Sequence, residues 1–379
     1  MANNSQKTTG ATKAPSVLKK LPIVRGVLSA SATYKTLDQK DKRRFWVDGT
    51  LNNALYILMA IFIIYTAVVN QNFLKAPSLV NVLSQVAYYL PIALGVGGCI
   101  VLTGTDLSAG RIMGLSAALS VLVLQETGSK LLGWIPDMPL WAGIIVALLT
   151  VSLVGAFIGA VNGFFVAKFK LHPFIVTLAT QLITYGAILV LFNVNGNKGA
   201  PLGGYEAGYK KFVTGTMIDF GNNIKLPWYV LYAIILVIIM WFIWNKTTFG
   251  KNMFAVGSNP EAASVSGVNV FKTTVMVHAL AGLMYGLNGF LVPPNVGSVV
   301  SSTGVNAECE AIAPCVIGGV SFVGGTGKVS GIVLGVFILR VIFVALNMLS
   351  IDANIQNIIK GAIILFACAL DMRKYLVKK

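Results

Sequence analysis

The sequence predicts an all-α membrane protein, a polytopic helical bundle of about ten transmembrane helices. Of its 379 residues, 56% are hydrophobic and only 11% are charged, whereas soluble domains carry about 25% charged residues. Apolar segments of about 20 residues, each long enough to cross about 30 Å of hydrocarbon as a helix, recur along the chain. They are too long and too uniformly apolar for barrel strands, so helices are the spanning elements.

A polar, basic tail covers residues 1–48, and a transmembrane domain covers 49–379. The tail lacks the short apolar core and small-residue cleavage site of a signal peptide, so we expect it to be cytoplasmic. Ten spans follow from the apolar segments, at roughly 51–69, 80–103, 109–125, 139–166, 173–193, 227–244, 273–292, 308–323, 330–349 and 355–372.

The distribution of charge orients these spans. The formal net charge is +16, which by itself is also typical of nucleic-acid-binding proteins. However, basic residues concentrate in the tail and in alternate loops, as the positive-inside rule requires, and the outer loops at 293–307 and 350–354 carry none. The exception is the long outer loop at 194–226, which has four lysines. We therefore predict a multi-pass protein with both termini in the cytoplasm and no nucleic-acid partner.

No motif predicts catalysis, a metal site or a cofactor in this chain. The four cysteines lie in or beside apolar segments and, with the two histidines, lack zinc spacing. The stretch GGTGKVS at 324–330 is similar to a phosphate-binding loop, but Phe322 stands where that motif needs glycine and Val329 replaces the Ser/Thr. We expect that the chain itself does not bind ATP.

The stretch TGTDLSAGR at 103–111 places a carboxylate between two apolar spans. Charge is costly in the bilayer, so such a group meets water or protein. Asp106 and Ser108 are suited to cap the following helix, which gives a structural interpretation: a capped break near the cytoplasmic face. The alternative is that Thr103, Asp106 and Ser108 line or gate a solute pathway.

A second polar stretch lies in the predicted cytoplasmic loop at 246–272. Within it, NPEAASVSG has the signals of a short, independent helix: Asn259 suits the N-cap, Pro260 the first turn, and Glu261 the positive end of the helix dipole. Gly267 can take the left-handed conformation that ends a helix. Such a helix is too short to span a membrane, and it is typical of a docking element.

A few charged residues lie inside the last three predicted spans. Glu308 and Glu310 open the eighth span and are further candidates for the pathway, while Lys360 lies in the tenth. The topology places these three residues in the outer leaflet, which permits an ion pair between Glu310 and Lys360. Arg340, in the ninth span, has no evident partner in the sequence.

Three stretches in the same order resemble the sugar permeases of bacterial ATP-binding-cassette importers: TGTDLSAGR, WNKTTFGKNMFAVGSNPEAASVSGVNV and AIAPCVIGGVSFVGGTGKVSG. Within that family the chain is similar to the ribose/galactose branch, and most like its galactose/methyl-galactoside permeases. The resemblance covers about residue 50 to the end.

This resemblance implies an importer permease fold in the bacterial cytoplasmic (inner) membrane and transport of a monosaccharide by alternating access. It implies a permease homodimer, a cytoplasmic ATPase subunit that binds ATP and magnesium, and an extracytoplasmic sugar-binding protein. The short cytoplasmic helix would be the coupling helix that contacts the ATPase. Its residues would be Gly257, Asn259, Glu261, Ala262, Ala263 and Gly267.

The chain departs from the family pattern in ECEAIAPC, which contains Pro314, and in VPPNVGSVVSSTG, which contains Pro293 and Pro294. These changes lie toward the outer face and leave the sugar open. Ribose or xylose is the alternative to galactose. An ion-coupled secondary carrier is a further alternative, although such carriers place titratable groups in broken helices at the midplane. A membrane enzyme lacks a constellation of reactive groups here.

Overall fold

A computed structural model describes residues 54–126, 131–133, 135–221 and 224–376. The chain divides into two compact units, Met1–Ile57 and Leu58–Lys379. Only the helical residues 54–57 of the first unit are described, so the predicted basic tail at 1–48 lies outside the described residues. The second unit contains the helices discussed below.

The described residues form thirteen α-helices, a 3₁₀ turn at Val194–Gly196 and one two-stranded antiparallel sheet. The strands are β1 (Thr216–Asp219) and β2 (Lys225–Pro227). The helices are α1 (Ala54–Val69), α2 (Ala76–Val101), α3 (Ala109–Val123), α4 (Leu140–Phe169), α5 (Pro173–Phe192), α6 (Ala207–Thr214), α7 (Trp228–Lys246), α8 (Thr248–Ser258), α9 (Pro260–Val265), α10 (Val270–Val296), α11 (Ala307–Ile317), α12 (Val329–Met348) and α13 (Ala353–Leu376).

Each of the ten predicted spans contains one of these helices. Six of them are long and apolar enough to cross a membrane: α2, α4, α5, α7, α10 and α12. Shorter apolar helical stretches lie in α1, α3 and α13, and α11 occupies the predicted eighth span. The prediction of a polytopic all-α bundle of about ten helices is confirmed.

Helix α10 lies at the centre of the bundle and packs against α2, α3 and α4. Its closest approach is to α4, where the two backbones touch through glycines. Gly155 faces the carbonyl of Gly282, and Gly159 faces the carbonyl of His278. Apolar burial gives little driving force between helices in lipid, so close backbone contact of this kind stabilises the pair.

Helices α3 and α11 are too short to cross the bilayer alone. At about 1.5 Å per residue, α3 with 15 residues and α11 with 11 residues are half-helices. The predicted eighth span at 308–323 was therefore too long. Helix α11 ends at Ile317 because a glycine-rich turn follows, in which Gly319 has the positive φ of 84° that only glycine adopts readily.

The two half-helices begin side by side. Gly110, in the first turn of α3, contacts the backbone of Gly304, and Gly114 contacts the carbonyl of Thr303. The segment at 297–306, predicted as an outer loop, thus returns into the bundle before α11 starts. As a result, the starts of α3 and α11 meet inside the bundle.

The loop at 194–226, predicted to lie on the outer side, is folded rather than irregular. It contains α6 and the hairpin of β1 and β2, and it is tied to α10 by tyrosines. The Tyr209 hydroxyl donates to the Phe290 carbonyl oxygen at 2.5 Å, and the Tyr205 hydroxyl donates to that of Pro293 at 2.9 Å. Pro293 and Pro294, predicted in a loop, lie inside α10.

We predict that Gly159→Ala lowers the melting temperature, because its methyl group would meet the His278 backbone across the α4–α10 contact. Overpacking of this kind costs about 1–3 kcal/mol. Thermal unfolding of the purified protein in detergent measures the change. Gly186→Ala in α5 is the control, since no neighbouring atom lies within 4 Å of its added methyl. Equal melting temperatures for the two variants would contradict the packing argument.

Candidate functional site

Helix α9 is the short capped helix that the sequence predicts. The Asn259 side-chain oxygen accepts hydrogen bonds from the backbone N–H groups of Glu261 and Ala262, both at 3.0 Å. Gly267 follows the helix with a φ of 84°, and its N–H donates to the Ser264 carbonyl at 3.0 Å. The caps hold this one-and-a-half-turn helix without a long apolar face to stabilise it.

The six residues that the resemblance singles out divide into two groups. Gly257 and Ala263 are buried, and Gly257 lies against the Val101 carbonyl at the end of α2. The others, Asn259, Glu261, Ala262 and Gly267, are exposed. The buried pair therefore seats the loop on the bundle, and the exposed set presents a surface. Sequence reasoning missed Val265, an apolar side chain on this surface that is 91% exposed.

Asp106 is fully buried, and both of its carboxylate oxygens are engaged. Oδ1 accepts from the Ser108 N–H at 2.9 Å and from the Ser108 hydroxyl at 2.5 Å. Oδ2 accepts from the Tyr285 hydroxyl at 3.3 Å. Asp106 thus accepts the two hydrogen bonds that Ser108 donates in the turn before α3, and it links this turn to α10.

The polar contacts continue from Ser108 into α4 and α5. The Asn162 amide donates to the Ser108 hydroxyl at 3.0 Å, and the Thr180 hydroxyl donates to the Asn162 amide oxygen at 2.5 Å. Asn162 is fully buried and Thr180 nearly so. One chain of hydrogen bonds therefore joins the turn before α3 to α4, α5 and α10. We call its residues the polar junction: Asp106, Ser108, Asn162, Thr180 and Tyr285.

The polar junction lies deep in the bundle. Tyr285 is sixteen residues into the 27-residue α10, about 22 Å from its start at 1.5 Å per residue. The prediction that this break lies near the cytoplasmic face stays a prediction. After α2 ends at Val101, the chain turns back into the bundle before α3 begins, a path that the apolar pattern does not reveal.

Glu308 lies beside this junction, in the first turn of α11. It is 6% exposed, and its carboxylate contacts the start of α3 at Gly110. Among the described residues, its Oε2 has no hydrogen-bond partner. Nearby, the Arg111 guanidinium lies 4.1 Å from the Tyr185 ring centroid and donates to the Ser301 carbonyl at 3.3 Å.

A second charged cluster is formed by α11, α12 and α13. Glu310 forms salt bridges with both Arg340 and Lys360, which confirms the predicted Glu310–Lys360 ion pair. Arg340, for which the sequence offered no partner, is the second cation, and its guanidinium lies 3.8 Å from the Tyr89 ring centroid. One carboxylate thus pairs with two cations, and the Tyr89 ring face makes a further contact with Arg340.

Thr103, the remaining pathway candidate, is not part of either cluster. It is exposed, has a positive φ of 63°, and lies against Gly324 in the turn after α11. The structure therefore brings together Asp106, Ser108 and Glu308, places Glu310 in the charged cluster, and leaves Thr103 near Gly257 and α8. Within the described part of the chain, no group of His, Cys, Asp and Glu side chains is arranged to hold a metal.

Comparison with known proteins identifies the family. Residues 78–368 match a family described as "Branched-chain amino acid transport system / permease component". The chain belongs to this permease family. The match covers the helices from α2 to α13, including the polar junction and the loop that carries α9.

Three relatives extend the comparison. The galactose/methyl galactoside import permease protein of Escherichia coli (strain K12) is 41% identical over 345 residues, 90% of this chain and 99% of its own. The ribose import permease protein of Bacillus subtilis (strain 168) is 32% identical over 337 residues, 89% of this chain and 98% of its own. The D-allose transport system permease protein of Escherichia coli (strain K12) is 30% identical over 316 residues, 83% of this chain and 90% of its own.

No solved structure matches the chain. The relatives are permease proteins of bacterial transport systems, so the chain is a multi-pass membrane permease of that kind. The predicted resemblance to the ribose/galactose branch of sugar-importer permeases is confirmed.

We predict that Asp106→Ala lowers the melting temperature markedly, since it leaves Ser108 and Tyr285 without their buried acceptor. Each unsatisfied buried group costs about 1–3 kcal/mol. Asp106→Asn should cost less, because its amide oxygen still accepts from Ser108. Thermal unfolding checks the order, with Asp219→Ala in the exposed hairpin as control. A melting temperature of Asp106→Ala equal to that of the control would refute a structural role for the carboxylate.

The charged cluster leads to a second prediction. Glu310→Gln should destabilise the protein more than Lys360→Gln does, because it leaves both Arg340 and Lys360 unpaired. Breaking a buried ion pair costs about 3–5 kcal/mol. Lys360→Gln should be milder, since Arg340 still pairs with Glu310. Adding Lys360→Gln to Glu310→Gln should recover part of the loss. Chemical or thermal unfolding of the three variants measures this, and additive losses in the double variant would count against the cluster.

Proposed function

We propose that this chain is the membrane-spanning permease subunit of an ATP-binding-cassette importer. It moves a monosaccharide, galactose or a methyl-galactoside, across the bacterial cytoplasmic membrane by alternating access. The observation that carries the proposal is the 41% identity to a galactose/methyl galactoside import permease over 99% of that protein's length. Ribose and allose, the sugars in the names of relatives at 32% and 30% identity, are the second choice.

In this proposal the chain is not an enzyme. A separate cytoplasmic ATPase subunit binds ATP with magnesium and docks on the loop at 246–272. The exposed, doubly capped α9 supports this role, because caps hold its shape in water and Val265 offers an apolar contact that a partner would cover. Glu261 and Ala262 lie beside Val265 on the exposed surface.

On the opposite face, an extracytoplasmic sugar-binding protein would deliver the solute, and two copies of the chain would form the transport unit. Both termini would then lie in the cytoplasm, with the basic residues of the tail on the inner side of the membrane. These partners follow from the family resemblance and from the topology of the sequence.

The polar junction is our candidate for a control point of the pathway. Asp106, Ser108 and Glu308 lie where two half-helices begin. The Oε2 of Glu308, which has no hydrogen-bond partner among the described residues, can accept a hydrogen bond from a sugar hydroxyl. Glu310 and Thr103 remain candidates on either side of it. An ion-coupled carrier also uses broken helices, but it would have no need of a capped docking helix.

The decisive experiment measures ATPase activity in liposomes that contain this chain and its candidate ATPase. A galactose-loaded binding protein should stimulate hydrolysis in the wild type. Val265→Asp and Glu261→Lys should each abolish most of that stimulation, because each places an unsuitable charge in the docking surface. The control is Gly186→Ala, which lies on α5 away from this loop.

The outcomes separate the alternatives. Stimulation by ribose- or xylose-loaded protein instead would keep the mechanism and change the sugar. Sugar uptake driven by an ion gradient without any ATPase would overturn the importer proposal. Full stimulation in Val265→Asp would remove α9 as the docking element.

A further inference from the structure

Two neighbouring cavities lie on the outer half of the bundle, and they differ in chemistry. The first has a volume of about 200 Å³ and an apolar lining that includes Phe212, Tyr232, Leu236, Leu287 and Leu291. The second, of about 450 Å³, is mostly polar and is lined by residues that include Ser84, Lys210, Thr214, Lys225, Tyr229 and Pro294.

The two cavities lie one after the other along the same two helices, α7 and α10, and together define a groove. On α7, Tyr229 lines the polar cavity, and Tyr232 and Leu236 line the apolar one; these residues are three and four apart and so share one face. On α10, Leu287 and Leu291 line the apolar cavity, and Pro294 continues the same stripe into the polar one.

Both helices place the polar end of the groove at the outer face. Helix α7 begins at Trp228 and α10 ends at Val296, so Tyr229 and Pro294 lie near the outer ends of the two helices. Leu236 and Leu287 each lie seven residues deeper, about 10 Å at 1.5 Å per residue. The groove is therefore polar at the headgroup level and apolar in the hydrocarbon.

The polar end carries positive charge. Lys210 and Lys225 line it and are exposed, and in the described parts of the chain neither forms an ion pair. The facing acid is Asp219, the cross-strand partner of Lys225, and its carboxylate accepts from the Gly221 N–H at 2.8 Å. Glu206 precedes α6 on the same loop, and Lys211 adds a further positive charge outside the cavity lining.

We propose that this groove binds an anionic phospholipid of the outer leaflet. Its phosphate contacts Lys210 and Lys225, the Thr214 hydroxyl is within the headgroup cavity, and one acyl chain fills the apolar part between α7 and α10. A phospholipid has a charged headgroup followed by an apolar acyl chain, in the same order as the two parts of the groove. Phospholipids are also present at this depth of the membrane. The site is independent of the transported solute and of the ATPase.

The test uses the purified full chain and native mass spectrometry with added phosphatidylglycerol or phosphatidylcholine. The wild type should bind phosphatidylglycerol about tenfold more tightly than phosphatidylcholine, and Lys210→Gln with Lys225→Gln should remove most of that preference. Lys211→Gln is the matched control, because it removes a charge from the same helix outside the groove, and it should leave the preference unchanged.

A second variant tests the apolar end. Ile235→Trp, which also lines the apolar cavity, should weaken the binding of both lipids and leave their ratio unchanged; Ile235→Phe serves if the larger side chain impairs folding. Three results would overturn the proposal: an unchanged preference in the double lysine variant, an equal loss in Lys211→Gln, or equally tight binding of soluble glycerol phosphate. The last would identify a site for a water-soluble anion.

Discussion

The backbone contact between α4 and α10 is the constraint on which the rest of the structure depends. Because Gly155 and Gly159 have no side chain, α10 can lie directly on α4 and occupy the centre of the bundle. From there it holds Tyr285 against Asp106. Its start follows the loop that carries α9, and its end anchors the loop at 194–226. Displacing this one helix would disturb the polar junction and the loop at 194–226 together.

The general architecture could be predicted from the sequence because its determinants are local. Apolar length marks a span, and each of the ten predicted segments contains a helix. The cap of α9 depends on Asn259 and on residues two and three positions later, so it can be identified from the sequence alone. Even the Glu310–Lys360 pair could be proposed, since both charges lie in apolar spans and charge in lipid requires a partner.

The contacts that were missed join residues far apart in the sequence. Asn162 lies inside an apolar span and gives no sign that it meets Ser108 and Thr180, which lie on other helices. Hydropathy counts residues along the chain, so it does not show that the chain turns back after α2 and buries Asp106 in the bundle. Arg340 remained unassigned because Glu310 was already paired with Lys360, and a carboxylate with two cationic partners is not visible as a pattern.

Pro294, near the end of α10, makes this helix depend on a side chain from another part of the chain. A residue at 294 would normally donate its N–H to the Phe290 carbonyl, but proline has none. The Tyr209 hydroxyl donates to this carbonyl at 2.5 Å instead. A residue of the loop at 194–226 therefore provides the hydrogen bond that the helix backbone lacks. Pro294 and Tyr209 are therefore structurally dependent on each other. A chimaera that exchanges the outer loop between such permeases must carry the matching end of this helix with it.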